Sequence, residues 1–206
     1  MNSEYINKIL SKFDINTTII KINSRELYGL VDFSNFKLLK NIYCNNNKII
    51  YLKNLPETLK LLYCSNNPQI VLEDLPNSIE YLECSECNLC NVDFLPFKLL
   101  YLNCSRNKIT NLDNLPLYLE KIYCAHNLLK NLFSLPENLI DLDCSFNEIE
   151  QLDDLPSGLI NLKCAFNLFK TLNNLPRKLL TIDWNGNITN KPDKLYIMTP
   201  KYLQTK

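Results

Sequence analysis

Three cysteines spaced three residues apart, Cys84, Cys87 and Cys90, form the pattern in this sequence that is best suited to metal or redox chemistry. Thiolates bind zinc, but a structural zinc ion takes four ligands. The single histidine of the chain, His126, is the fourth candidate ligand. Whether these four residues meet depends on the elements that carry them.

A second group of residues that could take part in catalysis contains Asp141, Asp143, Lys163 and Asp183. Enzymes tune the pKa of a catalytic carboxyl group by burial and by close charged neighbours. The elements described below place these four residues on an open, hydrated surface, which lacks that burial. The chain also has only three glycines and no glycine-rich phosphate-binding motif. We therefore predict that the protein is not an enzyme.

The elements that carry these residues follow a repeat of 20 residues. Cysteine recurs at this period without an insertion, and Trp184 takes the next position in the series. The members are Cys44, Cys64, Cys84, Cys104, Cys124, Cys144 and Cys164. Leucine or isoleucine stands two and five residues before each member, and a Leu-Pro pair such as Leu115-Pro116 recurs with the same period. A fixed period of this length is typical of stacked structural units.

Each repeat unit is predicted to form one short strand and one return segment, which leads back to the next strand. Residues Leu39 to Cys44 alternate between buried and outward positions, as in a strand. We expect eight or nine such strands to stack into a parallel sheet that forms the concave side of an α/β solenoid. The recurring proline removes a backbone donor, so we predict an extended convex side, or a single 3₁₀ turn, without long helices.

The two ends of the chain depart from the repeat. Four apolar residues at helical spacing predict a short amphipathic helix that caps the first unit: Ile6, Ile9, Leu10 and Phe13. We assign residues 1–18 to this cap, with Asn2 or Ser3 as the N-cap, and residues 19–188 to the solenoid. Within it, residues 19–38 form a degenerate first repeat, in which Ile19 and Ile22 stand one period before Leu39 and Ile42. Residues 189–206 are predicted to form a C-terminal cap or tail, with Trp184 closing the last unit.

The repeat explains most of the cysteines. Neighbouring parallel strands lie about 4.8 Å apart, which is wider than the ~3.8 Å that Cβ atoms take in a disulfide. We therefore expect reduced, buried thiols and a reducing compartment. Cys84 and Cys87 face inward, and only Cys90 occupies a variable, exposed position. His126 lies two units away, at roughly 10 Å, so we predict no metal and no cofactor.

A column of asparagines marks the point where each unit leaves its strand. An amide side chain carries both a donor and an acceptor, so it can satisfy backbone groups in the turn. We predict a structural ladder formed by Asn47, Asn67, Asn107, Asn127, Asn147, Asn167 and Asn187. Cys87 replaces asparagine in one unit and should form weaker hydrogen bonds there.

The residues that alternate with the core positions should point to the open, concave face. Tyrosines crowd its first half and aspartates its second half, and aromatic residues are frequent anchors of protein interfaces. The candidate partner-binding residues, including an aromatic ridge beside the sheet, are Tyr43, Tyr63, Tyr81, Tyr101, Tyr123, His126, Asp141, Asp143, Phe146 and Phe166. Alternatively, tyrosine is present for its strand propensity and for stacking between units.

The charge pattern argues against nucleic acid and membranes as partners. Lysine plus arginine equals aspartate plus glutamate, at 22 each, and the basic residues alternate with acidic ones. No apolar run approaches the ~18 residues of a membrane span, and the first residues do not form a signal peptide. We therefore expect a soluble, intracellular protein.

The 20-residue unit with its Leu-Pro pair resembles the short subclass of leucine-rich repeat proteins, over Leu39 to about Asn187. Similar repeats occur in secreted bacterial effectors that act inside host cells, and in large DNA viruses and amoebae. The resemblance implies a curved solenoid that recognises a protein partner through its concave face. An alternative is an effector or adaptor that recruits host proteins to signalling or ubiquitination machinery. A third is a homodimer formed through the tyrosine face.

Overall fold

The computed structural model describes residues 2–93, 95–171 and 174–188. Its main element is a nine-stranded sheet in which every neighbouring pair is parallel. From β3 onward, paired residues are 20 positions apart, so that Leu82 pairs with Leu102 and Leu102 with Ile122. The predicted solenoid of parallel strands is confirmed.

The described elements are one helix and eleven strands, of which β2 and β4 lie outside the main sheet. They are α1 (Asn2–Leu10), β1 (Ile19–Lys21), β2 (Tyr28–Asp32), β3 (Asn41–Tyr43), β4 (Lys48–Lys53), β5 (Leu61–Tyr63), β6 (Tyr81–Glu83), β7 (Tyr101–Asn103), β8 (Lys121–Tyr123), β9 (Asp141–Asp143), β10 (Asn161–Lys163) and β11 (Thr181–Asp183).

Each strand of the main sheet buries its central residue and turns the two flanking residues outward. In β7, Leu102 is fully buried, whereas Tyr101 and Asn103 are half-buried on the opposite face. The column cysteines and the leucines five residues before them are also buried, so each coil contributes the same side chains to one continuous core. We call the opposite face, which carries the flanking residues, the sheet face.

The return segments are extended and contain one tight turn each. The N–H of the residue three positions after each recurring proline donates to the proline carbonyl, as from Leu119 to Pro116 at 3.2 Å. The residue before the Leu-Pro pair has a positive φ in most coils, for example Asn114 at 58°. Asparagine, aspartate and serine tolerate this left-handed conformation well. The prediction of an extended return side with a single turn is confirmed.

A second, two-stranded parallel sheet forms on the return side of the first coils, where β2 pairs with β4. This second sheet is not predicted by the 20-residue repeat. Strand β4 has the sequence KIIYLK, which contains no turn residue between its apolar positions. Ile49 and Leu52 of this strand are buried. An isolated bridge from Tyr51 to Val71 extends this pairing by one coil.

The register of the first repeat differs from our prediction. We placed Ile19 and Ile22 one period before Leu39 and Ile42, but Ile20 pairs with Ile42, 22 residues further along. Ile20 is therefore the buried strand residue, while Ile19 is exposed. The prediction was wrong because the first coil is two residues longer than the others, and two adjacent isoleucines hide the shift.

The helix α1 begins at Asn2 and packs its apolar face against the first coil. Ile6 and Leu10 are buried in the common core, and Phe13 is partly buried against it. Trp184 is also partly buried against the core at the other end. The domain boundaries at residues 18 and 188 stay predictions, and the predicted cap or tail of residues 189–206 lies outside the described residues.

Candidate functional site

The parallel register places equivalent residues of the sheet face in two straight columns. One column contains Asn41, Leu61, Tyr81, Tyr101, Lys121, Asp141, Asn161 and Thr181, and the other contains Tyr43, Tyr63, Glu83, Asn103, Tyr123, Asp143, Lys163 and Asp183. All of these residues are half-buried or exposed. The fold therefore brings the predicted tyrosines and aspartates together on one surface.

The five tyrosines of this face pack against one another in two groups, one of two rings and one of three. The rings of Tyr43 and Tyr63 are nearly parallel, with centroids 5.0 Å apart. Tyr101 lies between Tyr81, at 5.8 Å, and Tyr123, at 5.5 Å. The packing of each ring against its neighbour restricts the orientations that it can adopt. The result is an aromatic surface whose rings are held by contacts within the chain itself.

Two tyrosine hydroxyl groups are also fixed by carboxylates. Tyr101 donates to Glu83 at 2.7 Å, and Asn103 donates to the other oxygen of the same carboxylate at 2.9 Å. Tyr123 donates to Asp141 at 3.0 Å. Partial burial and this hydrogen bond raise the pKa of Tyr123 to about 12, and the same two causes raise the pKa of Tyr101. Both hydroxyl groups therefore remain protonated, and able to donate these hydrogen bonds, to a higher pH than an ordinary tyrosine.

The two ends of the sheet face differ in charge. At the first end, Lys21 lies over the ring of Tyr43, with its Nζ 5.3 Å from the centroid. At the other end, Asp143 accepts a hydrogen bond from the N–H of Ser145 at 3.1 Å and lies 3.9 Å from the amine of Lys163. Asp141, Asp143 and Asp183 outnumber the two lysines in that half, so it has an acidic character.

The predicted aromatic ridge lies on the turn that follows the strands, at the edge of the sheet face. His126 stacks on Phe146 with centroids 4.1 Å apart, and Phe146 stacks on Phe166 at 4.4 Å. Phe146 and Phe166 are 42% and 52% exposed. Beyond Phe166, a Cβ atom at Gly186 would lie only 2.6 Å from its ring. Glycine thus leaves room for the end of the stack.

The residues of this turn share an unusual backbone conformation. The position two residues after the column cysteine has a positive φ in every described coil from Asn46 to Gly186. Bulky residues rarely adopt this conformation, yet Phe146 and Phe166 do so with φ of 57° and 54°. This backbone conformation was not among the features predicted from the sequence. The only sequence signal of this conformation is the residue type at three positions of the column, with asparagine at 46 and 66 and glycine at 186.

The asparagine column lies inside the solenoid, and each member contacts backbone groups of its own coil and of the preceding coil. The Asn127 amide donates to the carbonyls of Cys104 and Cys124, both at 3.0 Å, and its oxygen accepts from the N–H of Ile109 at 3.0 Å. The other members of the column make equivalent bonds: Asn47, Asn67, Asn107, Asn147, Asn167 and Asn187. These residues connect adjacent coils and are buried, or half-buried at Asn187.

The cysteines do not form a metal-binding arrangement among the described residues. Cys84 and Cys87 are buried, and Cys90 is exposed. No group of three or more histidine, cysteine, aspartate or glutamate side chains in the described part of the chain is placed to hold a metal ion. All nine cysteines are free thiols, and burial raises the pKa of Cys104 to about 12, so its thiol is neutral.

Known structures with the same architecture identify the fold. YopM from Yersinia enterocolitica matches with a TM-score of 0.65 and 33% identity, over 79% of this chain and 41% of that one. The chain has a leucine-rich repeat fold. A leucine-rich effector, YopM from Yersinia pestis, matches with a TM-score of 0.68 and 25% identity, over 81% of this chain and 57% of that one. The present chain thus spans about half the length of each.

A third leucine-rich repeat structure is similar to this chain in its fold alone. The functional domain of InlJ from Listeria monocytogenes, which includes a cysteine ladder, matches with a TM-score of 0.62 and 22% identity. The match covers 82% of this chain and 44% of that one. No family model and no curated protein matches the sequence. Within the described residues, no helix has the length and apolar character needed to cross a bilayer.

Proposed function

We propose that this leucine-rich repeat chain is a non-catalytic recognition module that binds a protein partner through the sheet face and the adjoining aromatic ridge. The observation that supports this most directly is the order of the tyrosine array. Each tyrosine ring of the sheet face packs against at least one other tyrosine ring, and two of the hydroxyl groups donate hydrogen bonds to carboxylates. Side chains that are ordered before binding lose little conformational entropy when a partner docks.

The composition of the surface also supports a protein partner over other ligands. Tyrosine offers a large apolar contact area together with a hydrogen-bonding group, and it is enriched in interface hot spots. The acidic second half favours a partner with basic residues at that end. Hydrated carboxylates on an open face lack the enclosure that supports catalysis, so we assign no reaction to them.

A double substitution tests the surface. We expect Tyr81→Ala/Tyr101→Ala to weaken binding of the partner at least about tenfold, since hot-spot truncations cost about 2 kcal/mol or more. The partner is first captured from a cell lysate with the intact protein, and its affinity is then measured by titration. Leu117→Ala/Tyr118→Ala serves as the control, because both residues are exposed on the return side. Equal affinities for the two variants, with normal melting curves, contradict the proposal.

A second candidate function is that of an effector or adaptor that acts inside a host cell. It rests on the similarity to YopM, one structure of which is described as a leucine-rich effector protein. In this case the captured partner belongs to host signalling or ubiquitination machinery. A homodimer formed through the tyrosines is the third candidate, and light scattering would then give twice the monomer mass. The same double substitution would return that mass to the monomer value.

A further inference from the structure

One pair of coils differs from the others on the return side. In most coils the apolar residues of the return segment are sealed in the core, as Ile109 and Leu112 are. Their equivalents Leu89 and Val92, and also Leu72, are only partly buried. A cleft of about 340 Å³ opens between these two coils. It reaches down to Leu82, which belongs to the central core column.

Missing connections between coils explain why the cleft opens here. In five other coils the N–H of the residue after the turn asparagine donates to the preceding coil, as from Lys108 to Leu89 at 2.8 Å and from Leu128 to Ile109 at 2.9 Å. Pro68 occupies this position in one coil and has no N–H to donate. In the next coil, Asn88 makes no such bond within the described residues.

The replacement of asparagine by Cys87 removes a third connection. In the neighbouring coils, an asparagine oxygen accepts from the backbone N–H 18 residues earlier, as Asn107 accepts from Leu89 at 3.0 Å. The corresponding donor for Cys87 is the Gln69 N–H, and in the described part of the chain it makes no such bond. The Cys87 thiol donates only to the carbonyls of Cys64 and Ser85. The return segment of this coil is therefore held less tightly.

The mouth of the cleft is acidic. Glu73 and Asp93 line it, and it adjoins a more open depression that is also lined by Asp74. Glu73, Asp93 and Asp113 occupy the same repeat position in three successive coils. Like charges at neighbouring positions across coils repel each other. None of the three ion pairs found among the described residues involves these carboxylates.

We propose that this cleft is a second docking site, separate from the sheet face, for a partner polypeptide that inserts one or two aliphatic side chains flanked by lysine or arginine. Aliphatic side chains match the apolar lining, and the volume falls within the range of small ligand sites. A basic flanking residue matches the acidic rim and relieves the repulsion within the carboxylate column. This site does not depend on the function proposed for the tyrosine surface.

Three fluorescein-labelled hexapeptides test the proposal by fluorescence anisotropy with the full chain. The first, Gly-Arg-Leu-Leu-Arg-Gly, carries both features, the second replaces its leucines with serine, and the third replaces its arginines with glutamate. We expect the first peptide to bind, the second to lose at least about tenfold in affinity, and the third to lose about fivefold or more. Binding of the first peptide should weaken as salt is raised.

Substitutions at the cleft locate the binding. Cys90→Trp places a large ring at the mouth from an exposed position and should abolish binding of the first peptide. Thr110→Trp, at the equivalent exposed position one coil later, is the matched control and should leave it unchanged. Glu73→Gln/Asp93→Asn should remove most of the salt dependence, whereas Glu150→Gln/Asp153→Asn should not. The tyrosine variant Tyr81→Ala/Tyr101→Ala should bind the peptide as the unmodified protein does.

The proposal is overturned if the first peptide does not bind or binds no better than the serine peptide. It is also overturned if Cys90→Trp and Thr110→Trp have the same effect. Loss of peptide binding in the tyrosine variant would move the site to the sheet face. Melting curves of each variant confirm that the compared proteins are folded.

Discussion

Each asparagine of the ladder replaces backbone partners that the turn cannot supply. We expect Asn127→Ala to lower the free energy of unfolding by about 1–3 kcal/mol, because the carbonyls of Cys104 and Cys124 and the N–H of Ile109 then lose their partner. Urea unfolding followed by circular dichroism measures this change. A loss below about 0.5 kcal/mol would show that water replaces the amide.

Cys87 is the one position of the ladder that lacks an asparagine, and introducing asparagine there should raise the free energy of unfolding. Cys87→Asn places an amide where it can accept from the Gln69 N–H and donate to the carbonyl of Cys64, which the thiol already contacts. We expect this substitution to raise the free energy of unfolding by about 1 kcal/mol. The two variants are measured together, because Asn127→Ala removes one asparagine from the ladder and Cys87→Asn adds one.

The buried thiols predict a steep loss of stability at alkaline pH. Burial is the main cause that raises the pKa of six column cysteines: Cys44, Cys84, Cys104, Cys124, Cys144 and Cys164. In the unfolded chain, thiols ionise near pH ~8.5. Above that pH the unfolded state therefore holds fewer protons than the folded state. The stabilisation is complete below about pH 8.5 and is lost as the pH rises toward about 12.

The size of this loss is large because the column is long. Each thiol contributes about 1.4 kcal/mol per pH unit once its unfolded form is ionised. We expect the melting temperature to fall sharply between about pH 9 and 10. Cys104→Ala should reduce the slope by about one proton, whereas Cys90→Ala should not change it, because Cys90 is already exposed. A melting temperature that stays constant to pH ~11 would contradict burial of the column.

At the level of the turn, the aromatic ridge combines stacking with an unfavourable backbone conformation. Phe146→Asn introduces a residue type that already occupies this turn at Asn46 and Asn66 with a similar φ. The lost stacking, about 0.5–1.5 kcal/mol, is offset by relief of about 1–2 kcal/mol in the left-handed backbone. We therefore expect the free energy of unfolding to change by less than about 1 kcal/mol.

The same substitution should weaken binding of the protein partner if the ridge belongs to its interface. Titration of the partner against Phe146→Asn measures this, and Lys170→Asn, at an exposed position outside the ridge, is a suitable control. A loss of stability above about 3 kcal/mol would instead show that the ring is part of the core.

At the level of the whole molecule, the constant register predicts that complete periods can be removed. Deletion of residues 121–140 joins equivalent positions of two coils and should give a folded protein with one strand fewer. Deletion of residues 121–139 leaves one extra residue and shifts every later position by one. This should disrupt the coil at the junction, since a shift of one residue turns strand side chains to the opposite face. Thermal unfolding and urea m-values compare the two.

The sequence predicted the solenoid because its strongest features are periodic. Columns such as Cys104 and Asn107 repeat without insertion, so strand positions, return turns and buried faces followed from counting. The first coil was misplaced because Ile19 and Ile20 are adjacent and the two additional residues leave no composition signal. The second sheet, β2 and β4, was missed because it depends on contacts specific to the first coils.

For the candidate site, the sequence predicted which residues share a face but not how they interact. The alternation of Tyr101 with Leu102 placed the tyrosine outward. The hydrogen bond from Tyr101 to Glu83 depends on side-chain rotamers and could not be predicted. The cleft beside Cys90 arises where three backbone bonds are absent among the described residues, at Pro68, Gln69 and Asn88. The proline and the replacement of asparagine by Cys87 are visible in the sequence, whereas the missing bond of Asn88 is not.

The uniform pairing of the strands gives the sheet face a fixed pitch of about 4.8 Å per coil. A polyproline II segment advances about 9.3 Å per three-residue turn, which is close to two coils, so it stays in phase with alternate rows such as those of Tyr63 and Tyr101. An extended strand repeats its side chains at about 6.8 Å and drifts out of phase after a few residues. The spacing of the sheet face therefore matches the repeat of a polyproline II segment more closely than that of an extended strand.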